Sequence, residues 1–233
     1  MSTSTTAESK AKDAATDNST ATRRHPVAIT IGRQFGSGGR ELGKRLADAL
    51  GFKYYDKELL SEAAKRAGVS EEFFERNDER VPSFLNGLIS FAFGMAPTSY
   101  YAGSTSISDD SLYRAQSDFI HSLANEDSCV IVGRSADYVL RDHPALVNIF
   151  VHASIDDRIE RILRREPELT REKARAKAEK INRLRANYYN FYTDKTWGAA
   201  ESYDLTFNTS LISMDQIVSL VSEYISMRFP GAR

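Results

Sequence analysis

Short apolar runs alternate with amphipathic segments along most of this chain. The apolar runs are rich in β-branched or aromatic residues and predict five strands: Val27–Ile31, Phe52–Tyr55, Ser128–Val132, Leu146–Val151 and Leu205–Asn208. Apolar positions at helical spacing predict seven helices: Glu41–Leu50, Lys57–Ala67, Leu112–Asn125, Ala136–Arg141, Ile155–Arg165, Arg171–Tyr189 and Met214–Ser226. Strands that alternate with helices favour an α/β fold in which helices cover both faces of a parallel sheet.

Two segments, residues 1–25 and 68–111, do not follow this alternation. The first is rich in Ser, Thr and Ala and has no apolar stretch of the kind found in secretory signals. We therefore predict a disordered tail ahead of a single domain at 26–233. Residues 68–111 contain a short acidic helix and then a Gly/Ser/Tyr-rich stretch, which predicts a lid, a binding loop or a disordered insertion.

The composition narrows the range of partners. The chain has 233 residues, a net charge of −1 and no apolar run near the roughly 20 residues that a bilayer requires. Neither nucleic acid nor a membrane is therefore expected as a partner. The single cysteine, Cys129, has no disulfide mate and favours a reducing, cytoplasmic compartment. The four histidines share no ligand spacing, so they predict no metal site.

A glycine-rich turn joins the first predicted strand to the first predicted helix. Backbone N–H groups at such a turn point inward, and the dipole of the helix adds positive potential. The turn is therefore a candidate phosphate cradle, although a tight strand-to-helix turn without a ligand is the other interpretation. The residues expected to bind nucleotide there are Arg33, Gly36, Ser37, Gly38, Gly39, Arg40 and Glu41.

A Walker A loop fits this turn only in part. Such a loop carries lysine and then Ser or Thr after its last glycine, whereas Gly39 and Arg40 follow Gly38 here. If the loop binds phosphate, another cation must meet the negative charge. We expect Arg40, Arg33 or both to replace the missing lysine.

A dinucleotide-binding fingerprint is a second interpretation of the same turn. Its glycine spacing nearly fits from Gly36, and Asp56 lies twenty residues further on, where an acidic residue would contact a ribose. Glu41, however, occupies the position of the third glycine. A dinucleotide-dependent enzyme therefore remains an alternative at this point.

Arginines recur after the later strands. Arg134 follows the third predicted strand, and the carboxyl ends of parallel strands line the ligand cleft in folds of this class. A basic helical pair with Arg158, Arg183 and Arg185 follows the fourth strand and is either an arginine-bearing lid at 158–196 or a pair of solvated helices with surface ion pairs. Phosphoryl transfer needs cations around the transferring group, so these arginines favour it over hydride transfer.

Four separated blocks resemble the cytidylate kinase-like family, a branch of the P-loop nucleoside monophosphate kinases. They are residues 29–41, 54–60, 130–140 and 187–192, and Trp197-Gly198 and Tyr203-Asp204-Leu205 also fit. The resemblance implies a three-layer P-loop kinase fold with a five-stranded parallel sheet, a helical NMP-binding insertion within 68–111 and an arginine-rich lid. It also implies ATP with Mg²⁺ as the donor and CMP or a related pyrimidine nucleotide as the acceptor.

The resemblance further implies roles for individual residues. The glycine loop would hold the donor phosphates, and the cations around the transferring group would be Arg40, Arg158, Arg183 and Arg185. The acceptor site would contain Asp56, Arg114 and Arg134, with Gln116 near Arg114.

This chain also departs from authentic cytidylate kinases. Gly38-Gly39-Arg40-Glu41 replaces Gly-Lys-Gly-Thr, Ser135 replaces an aspartate, and Asn182-Arg183-Leu184-Arg185 lacks the carboxylates of the lid. Mg²⁺ would then need another ligand, such as Glu41 or Asp56. We expect an ATP-dependent phosphotransferase acting on a nucleoside monophosphate. The alternative is a catalytically impaired nucleotide-binding sensor with the same fold.

Overall fold

The computed structural model describes residues 25–56 and 107–231, which contain five strands, six α-helices and a short 3₁₀ turn at Ala200–Ser202. The strands are β1 (Ala28–Arg33), β2 (Lys53–Tyr55), β3 (Cys129–Val132), β4 (Leu146–His152) and β5 (Leu205–Asn208). The helices are α1 (Gly39–Leu50), α2 (Ile107–Glu126), α3 (Ala136–Val139), α4 (Ile155–Arg165), α5 (Arg171–Thr193) and α6 (Met214–Arg228).

The five strands form one parallel sheet in the order β2-β3-β1-β4-β5. The central strand β1 pairs with β3 on one side and β4 on the other. Every carboxyl end therefore lies at the same edge of the sheet, and the turn after β1 sits near the middle of that edge. This confirms the predicted five-stranded parallel sheet.

Alternate residues along the strands face different helical layers. On one face, Ile29 and Ile31 of β1 belong to a core that includes buried residues of α1 and α6. On the other face, Ala28 and Ile131 belong to a core that includes buried residues of α2 and α3. The helices on both faces explain why the central strands β1, β3 and β4 are apolar at most positions rather than strictly alternating.

All five strands and six of the seven predicted helices match observed elements to within a few residues. The differences lie at helix ends: α2 begins at Ile107 rather than Leu112, and α5 continues to Thr193 rather than ending at Tyr189. The predicted helix Lys57–Ala67, the tail up to residue 24 and residues 68–106 lie outside the described residues. Among the helices that are described, none is long and apolar enough to cross a membrane.

A histidine between α3 and β4 makes the stability of the fold depend on pH. The Nδ1 atom of His143 accepts a hydrogen bond from the N–H of Ala145, and its Nε2 lies 3.2 Å from the carbonyl oxygen of Ala124. This arrangement requires the neutral ring. Burial and then the positive charges of His25 and His121 hold the pKa of His143 below its usual value of 6.5.

Because the folded state disfavours the proton, the contribution of His143 is fully present above about pH 6.5 and decreases as the pH falls toward its lowered pKa. We expect the free energy of unfolding to fall by about 1 kcal/mol for each unit by which this pKa is lowered. Urea unfolding at pH 7.5 and 5.0 measures this change in the wild type and in His143→Gln, which cannot titrate. An equal loss of stability in both proteins would rule out His143 as the cause.

Candidate phosphate-binding site

The turn between β1 and α1 has the geometry of an anion site. Gly36 and Gly38 have φ angles of 80° and 87°, which favour glycine, and Gly38 is the N-cap of α1 without a side-chain hydrogen bond to the helix. The first N–H groups of a helix have no acceptor within the helix. In α1 they are left facing the carboxyl edge of the sheet, where the helix dipole favours negative charge.

Hydrogen bonds from Ser37 and Thr209 stabilise the conformation of this loop. Ser37 is fully buried, and its hydroxyl oxygen lies 2.9 Å from the carbonyl oxygen of Gln34 and 3.0 Å from that of Val151. The hydroxyl of Thr209 donates to the carbonyl of Ser37 over 2.7 Å, and Arg161 donates to Thr209 in turn. The Ser37 side chain therefore supports the loop from within. Sequence reasoning missed Thr209, since it lies 172 residues away.

The helical pair α4–α5 is packed directly on the loop. The N–H of Phe35 donates to Asn182 Oδ1 over 2.7 Å, and Arg185 Nη1 donates to the carbonyl oxygen of Arg33 over 3.0 Å. The Phe35 ring packs against the small apolar core between α4 and α5. These contacts bring part of the predicted lid to the phosphate loop.

Three arginines from different elements contribute positive charge at the carboxyl edge of the sheet, and the charges of Arg33 and its neighbours affect one another's pKa values. The three are Arg33 at the end of β1, Arg134 after β3 and Arg185 on α5. Burial, and then the charge of Arg134, lowers the pKa of Arg33 to about 10. Burial lowers the pKa of Arg134, and burial together with Arg33 lowers that of Arg185 well below its usual value.

The Asp56 carboxylate is close enough to favour the ionised form of Arg33, but it forms its ion pair with Arg40. Within residues 25–56 and 107–231, no carboxylate forms an ion pair with Arg33, Arg134 or Arg185. Arg33 remains protonated at neutral pH, because a pKa near 10 leaves the guanidinium charged. Arginine side chains in general keep their proton in folded proteins, so Arg134 and Arg185 carry positive charge as well. Concentrated and partly dehydrated positive charge of this kind is suited to a polyanion such as phosphate.

Arg40 lies in a different environment. Its Nε forms an ion pair with Asp56 Oδ2 at 2.7 Å, and its side chain is 58% exposed. Asp56 is buried and also accepts a hydrogen bond from the hydroxyl of Tyr54. Burial and the Asp56 carboxylate raise the pKa of Tyr54 to about 12, so its hydroxyl stays a donor.

The two carboxylates proposed as Mg²⁺ ligands are engaged with arginines. Asp56 pairs with Arg40, and Glu41 accepts a hydrogen bond from Arg45 at 2.8 Å. In the part of the chain that the structure describes, no group of three or more His, Cys, Asp or Glu residues is arranged to hold a metal ion. These donors do not fit a magnesium ion bound mainly by protein groups.

The remaining predicted residues are dispersed. Arg158 on α4 is 8% exposed, and its backbone and Cβ lie directly against Gly36. Its Nε and Nη1 are buried and have no hydrogen-bond partner among residues 25–56 and 107–231, and burial lowers its pKa. Arg183 and Arg114 are exposed on α5 and α2. The structure therefore brings Arg33, Arg134, Arg158 and Arg185 to the loop and leaves Arg183 and Arg114 at the surface.

A buried carboxylate links two of the arginine-bearing segments. The hydroxyl of Tyr189 donates to Asp137 Oδ2 over 2.6 Å, and Asp137 is 6% exposed. Burial raises the pKa of Asp137, although the Tyr189 hydroxyl favours the ionised form. Asp137 follows Arg134 by three residues, and Tyr189 follows Arg185 by one helical turn. This hydrogen bond therefore fixes α3 against α5, a link that no sequence motif indicated.

Comparison with known proteins agrees with this architecture. The family model described as the cytidylate kinase-like family matches residues 28–211. Cytidylate kinases of Pyrococcus horikoshii and Pyrococcus furiosus are 27% and 28% identical to the chain over 200 residues, which cover 85% of this chain and 88% of each relative.

Solved structures show the same fold. An uncharacterized protein from Eubacterium ventriosum has a TM-score of 0.64 at 28% identity, over 86% of this chain and 98% of that one. A gluconokinase from Sinorhizobium meliloti has a TM-score of 0.51 at 15% identity, over 89% of this chain and 95% of that one. A shikimate kinase from Bacteroides thetaiotaomicron has a TM-score of 0.50 at 14% identity, over 86% and 98%. The α/β kinase fold predicted from the sequence is thus confirmed, and the chain belongs to the cytidylate kinase-like family.

Proposed function

We propose that this protein is an ATP-dependent phosphotransferase whose acceptor is a nucleoside monophosphate, most closely a CMP-like pyrimidine nucleotide. The observation that carries the proposal is the grouping of Arg33, Arg134 and Arg185 beside the uncapped start of α1. A kinase whose donor and acceptor both carry phosphate must bind strong negative charge on both sides of the group that is transferred. The relatedness to cytidylate kinases supports the same reaction class and suggests CMP as the first acceptor to test.

In this mechanism the chain supplies positioning and charge rather than covalent chemistry. The N–H groups of the loop and the start of α1 bind the donor phosphates, and Arg33 lies beside them. Arg134 and Arg185 bind the phosphate of the acceptor and orient its oxygen in line with the donor. Because the guanidinium groups are already fixed and partly dehydrated, they stabilise charge developing on the transferring group without reorganising.

Mg²⁺ has a limited place in this proposal. When bound, it would supply charge neutralisation at the donor phosphates. Glu41 and Asp56, the ligands that the sequence suggested, are instead paired with Arg45 and Arg40. We therefore assign no Mg²⁺ ligand and derive no step from the ion.

The ion pairs of Glu41 and Asp56 with arginines also favour a second candidate function, a nucleotide-binding sensor without catalysis. Such a protein would use the same loop and arginines to bind ATP but would lack the means to complete transfer. The two candidates differ in one observable, which is the formation of a diphosphate from an added monophosphate.

A panel of nucleoside monophosphates, small alcohols and an acceptor-free control, each with ATP and Mg²⁺, tests the proposal through ADP release. We expect release that depends on a monophosphate, with CMP among the best acceptors, and none above the control with alcohols. ATP binding by calorimetry without release from any acceptor would favour the sensor. Release that depends on an alcohol would show that the acceptor class is wrong.

A further inference from the structure

Compared with a Walker A motif, this glycine loop has the positions of one glycine and of the cationic residue interchanged. A Walker A motif has four residues between its two glycines, and its lysine follows the second. If Gly38 is the second glycine, Arg33 stands at the position of the first and Gly39 at that of the lysine. The chain thus has its cation where the motif has a glycine, and a glycine where the motif has its cation.

The structure gives this exchange a steric basis. A Cβ placed on Gly39 would lie 2.6 Å from the Cβ and 2.9 Å from the Cγ of Arg33, so any side chain at residue 39 would collide with the Arg33 stem. A Cβ on Gly133, at the end of β3, would overlap the Arg33 guanidinium. The Arg33 side chain therefore runs across the start of α1 toward the end of β3, and both glycines leave room for it.

From this geometry we infer that Arg33 performs the phosphate-binding role of the Walker lysine, delivered to the loop from strand β1 instead of helix α1. The inference rests on the proposed function, since it assigns a residue to the donor site of that reaction. Arg33 starts at the end of the strand, crosses the first residue of α1 and ends between the donor loop and the segment that carries Arg134. It is thus placed to bridge donor and acceptor phosphates.

Two further contacts support Arg33 over its neighbour in the loop. Arg185 Nη1 donates to the carbonyl oxygen of Arg33, which fixes the backbone from which the side chain departs. Arg40, the other candidate, directs its Nε to the Asp56 carboxylate, and more than half of its side chain is exposed. The Arg40 guanidinium is therefore paired with a carboxylate, whereas the Arg33 stem lies over the first residue of α1.

An exchange of the two residues tests this inference. We compare Arg33→Gly, Gly39→Lys and the double variant, which restores the Walker spacing with the cation on α1 and removes the collision. ATP affinity is measured by calorimetry, acceptor-dependent transfer by ADP release, and folding by thermal melting. We expect Arg33→Gly to lose about 100-fold in transfer rate, the range for one preorganised donor. Gly39→Lys should lose activity too, because its side chain collides with the Arg33 stem, and the double variant should recover to within about tenfold of wild type. Lys44→Ala, which removes an exposed cation of α1, is the matched control and should retain wild-type values.

The outcomes separate this inference from the proposed function. Wild-type ATP affinity in Arg33→Gly, or a double variant no better than both singles, would overturn the role of Arg33. If Arg33→Gly does not fold, Arg33→Met keeps the stem over Gly39 and removes only the charge, and it must lose ATP affinity. A wild-type protein that binds ATP but transfers to no acceptor would refute the proposed function, and the affinities of the variants would still decide the role of Arg33.

Discussion

Gly36→Ala is expected to eliminate nucleotide binding and to destabilise the fold. The residue has a φ of 80°, and a Cβ there would lie 2.8 Å from the carbonyl oxygen and 3.1 Å from the Cβ of Arg158. Neither atom can move without shifting α4. We expect the free energy of unfolding to fall by about 3 kcal/mol, from left-handed strain of about 1 kcal/mol and overpacking of about 2 kcal/mol. Urea unfolding and calorimetry with ATP measure the two effects.

Gly51→Ala is a matched control for this change. Gly51 ends α1 with a φ of 69°, but a Cβ there would meet no atom within 4 Å. It should therefore cost only the strain, about 1 kcal/mol, and leave ATP binding unchanged. Equal losses of stability in the two variants would show that the contact between Gly36 and Arg158 has no importance.

The second large effect is expected at Arg185, where a substitution should lower activity strongly without a matching loss of stability. Its guanidinium is partly buried next to Arg33, and both burial and that charge oppose its ionised form. In Arg185→Met the charge is removed while most of the apolar stem remains. We expect acceptor-dependent transfer to fall by about 100-fold, as for the loss of one preorganised donor. The free energy of unfolding without ligand should stay within about 1 kcal/mol of wild type or rise, since an uncompensated charge is removed.

The matched control is Arg175→Met, which removes an exposed arginine from the same helix. It should change neither transfer nor stability by a measurable amount, because surface ion pairs contribute about 0–1 kcal/mol. If Arg185→Met instead lowers stability by more than about 2 kcal/mol, the arginine is mainly structural. Its hydrogen bond to Arg33 would then be its principal role.

The sheet could be predicted from the sequence because its signal is local. Strands buried on both faces are apolar at most positions, so β3 is wholly apolar, and β1 and β4 are apolar runs interrupted internally only by Thr30 and Asn148. The glycine turn was equally visible, since only a few residues tolerate the positive φ angles of Gly36 and Gly38. The order of the strands was not predicted, because pairing depends on contacts between distant segments.

The sequence alone did not show which arginine serves which role, and only the structure distinguishes them. Arg33 and Arg40 are equally plausible in the sequence, and only the path of the Arg33 side chain over Gly39 and the Arg40–Asp56 ion pair distinguish them. Along α5, the rotation of the helix places Arg185 at the loop and leaves Arg183 exposed. The supporting contacts from Thr209, Asn182 and Tyr189 join residues that are 172, 147 and 52 positions apart, respectively, from their partners. No short motif contains such information.

Phosphorus NMR of the wild-type protein with ATP, Mg²⁺ and CMP tests the proposed reaction most directly, because it observes donor and acceptor together. We expect the monophosphate signal to decline while ADP and a cytidine diphosphate appear in equal amounts, with little inorganic phosphate, and we expect Arg33→Gly to suppress both products. Unchanged spectra of ATP and of every monophosphate offered, under conditions where calorimetry detects ATP binding, would contradict a phosphotransferase and identify a nucleotide-binding protein.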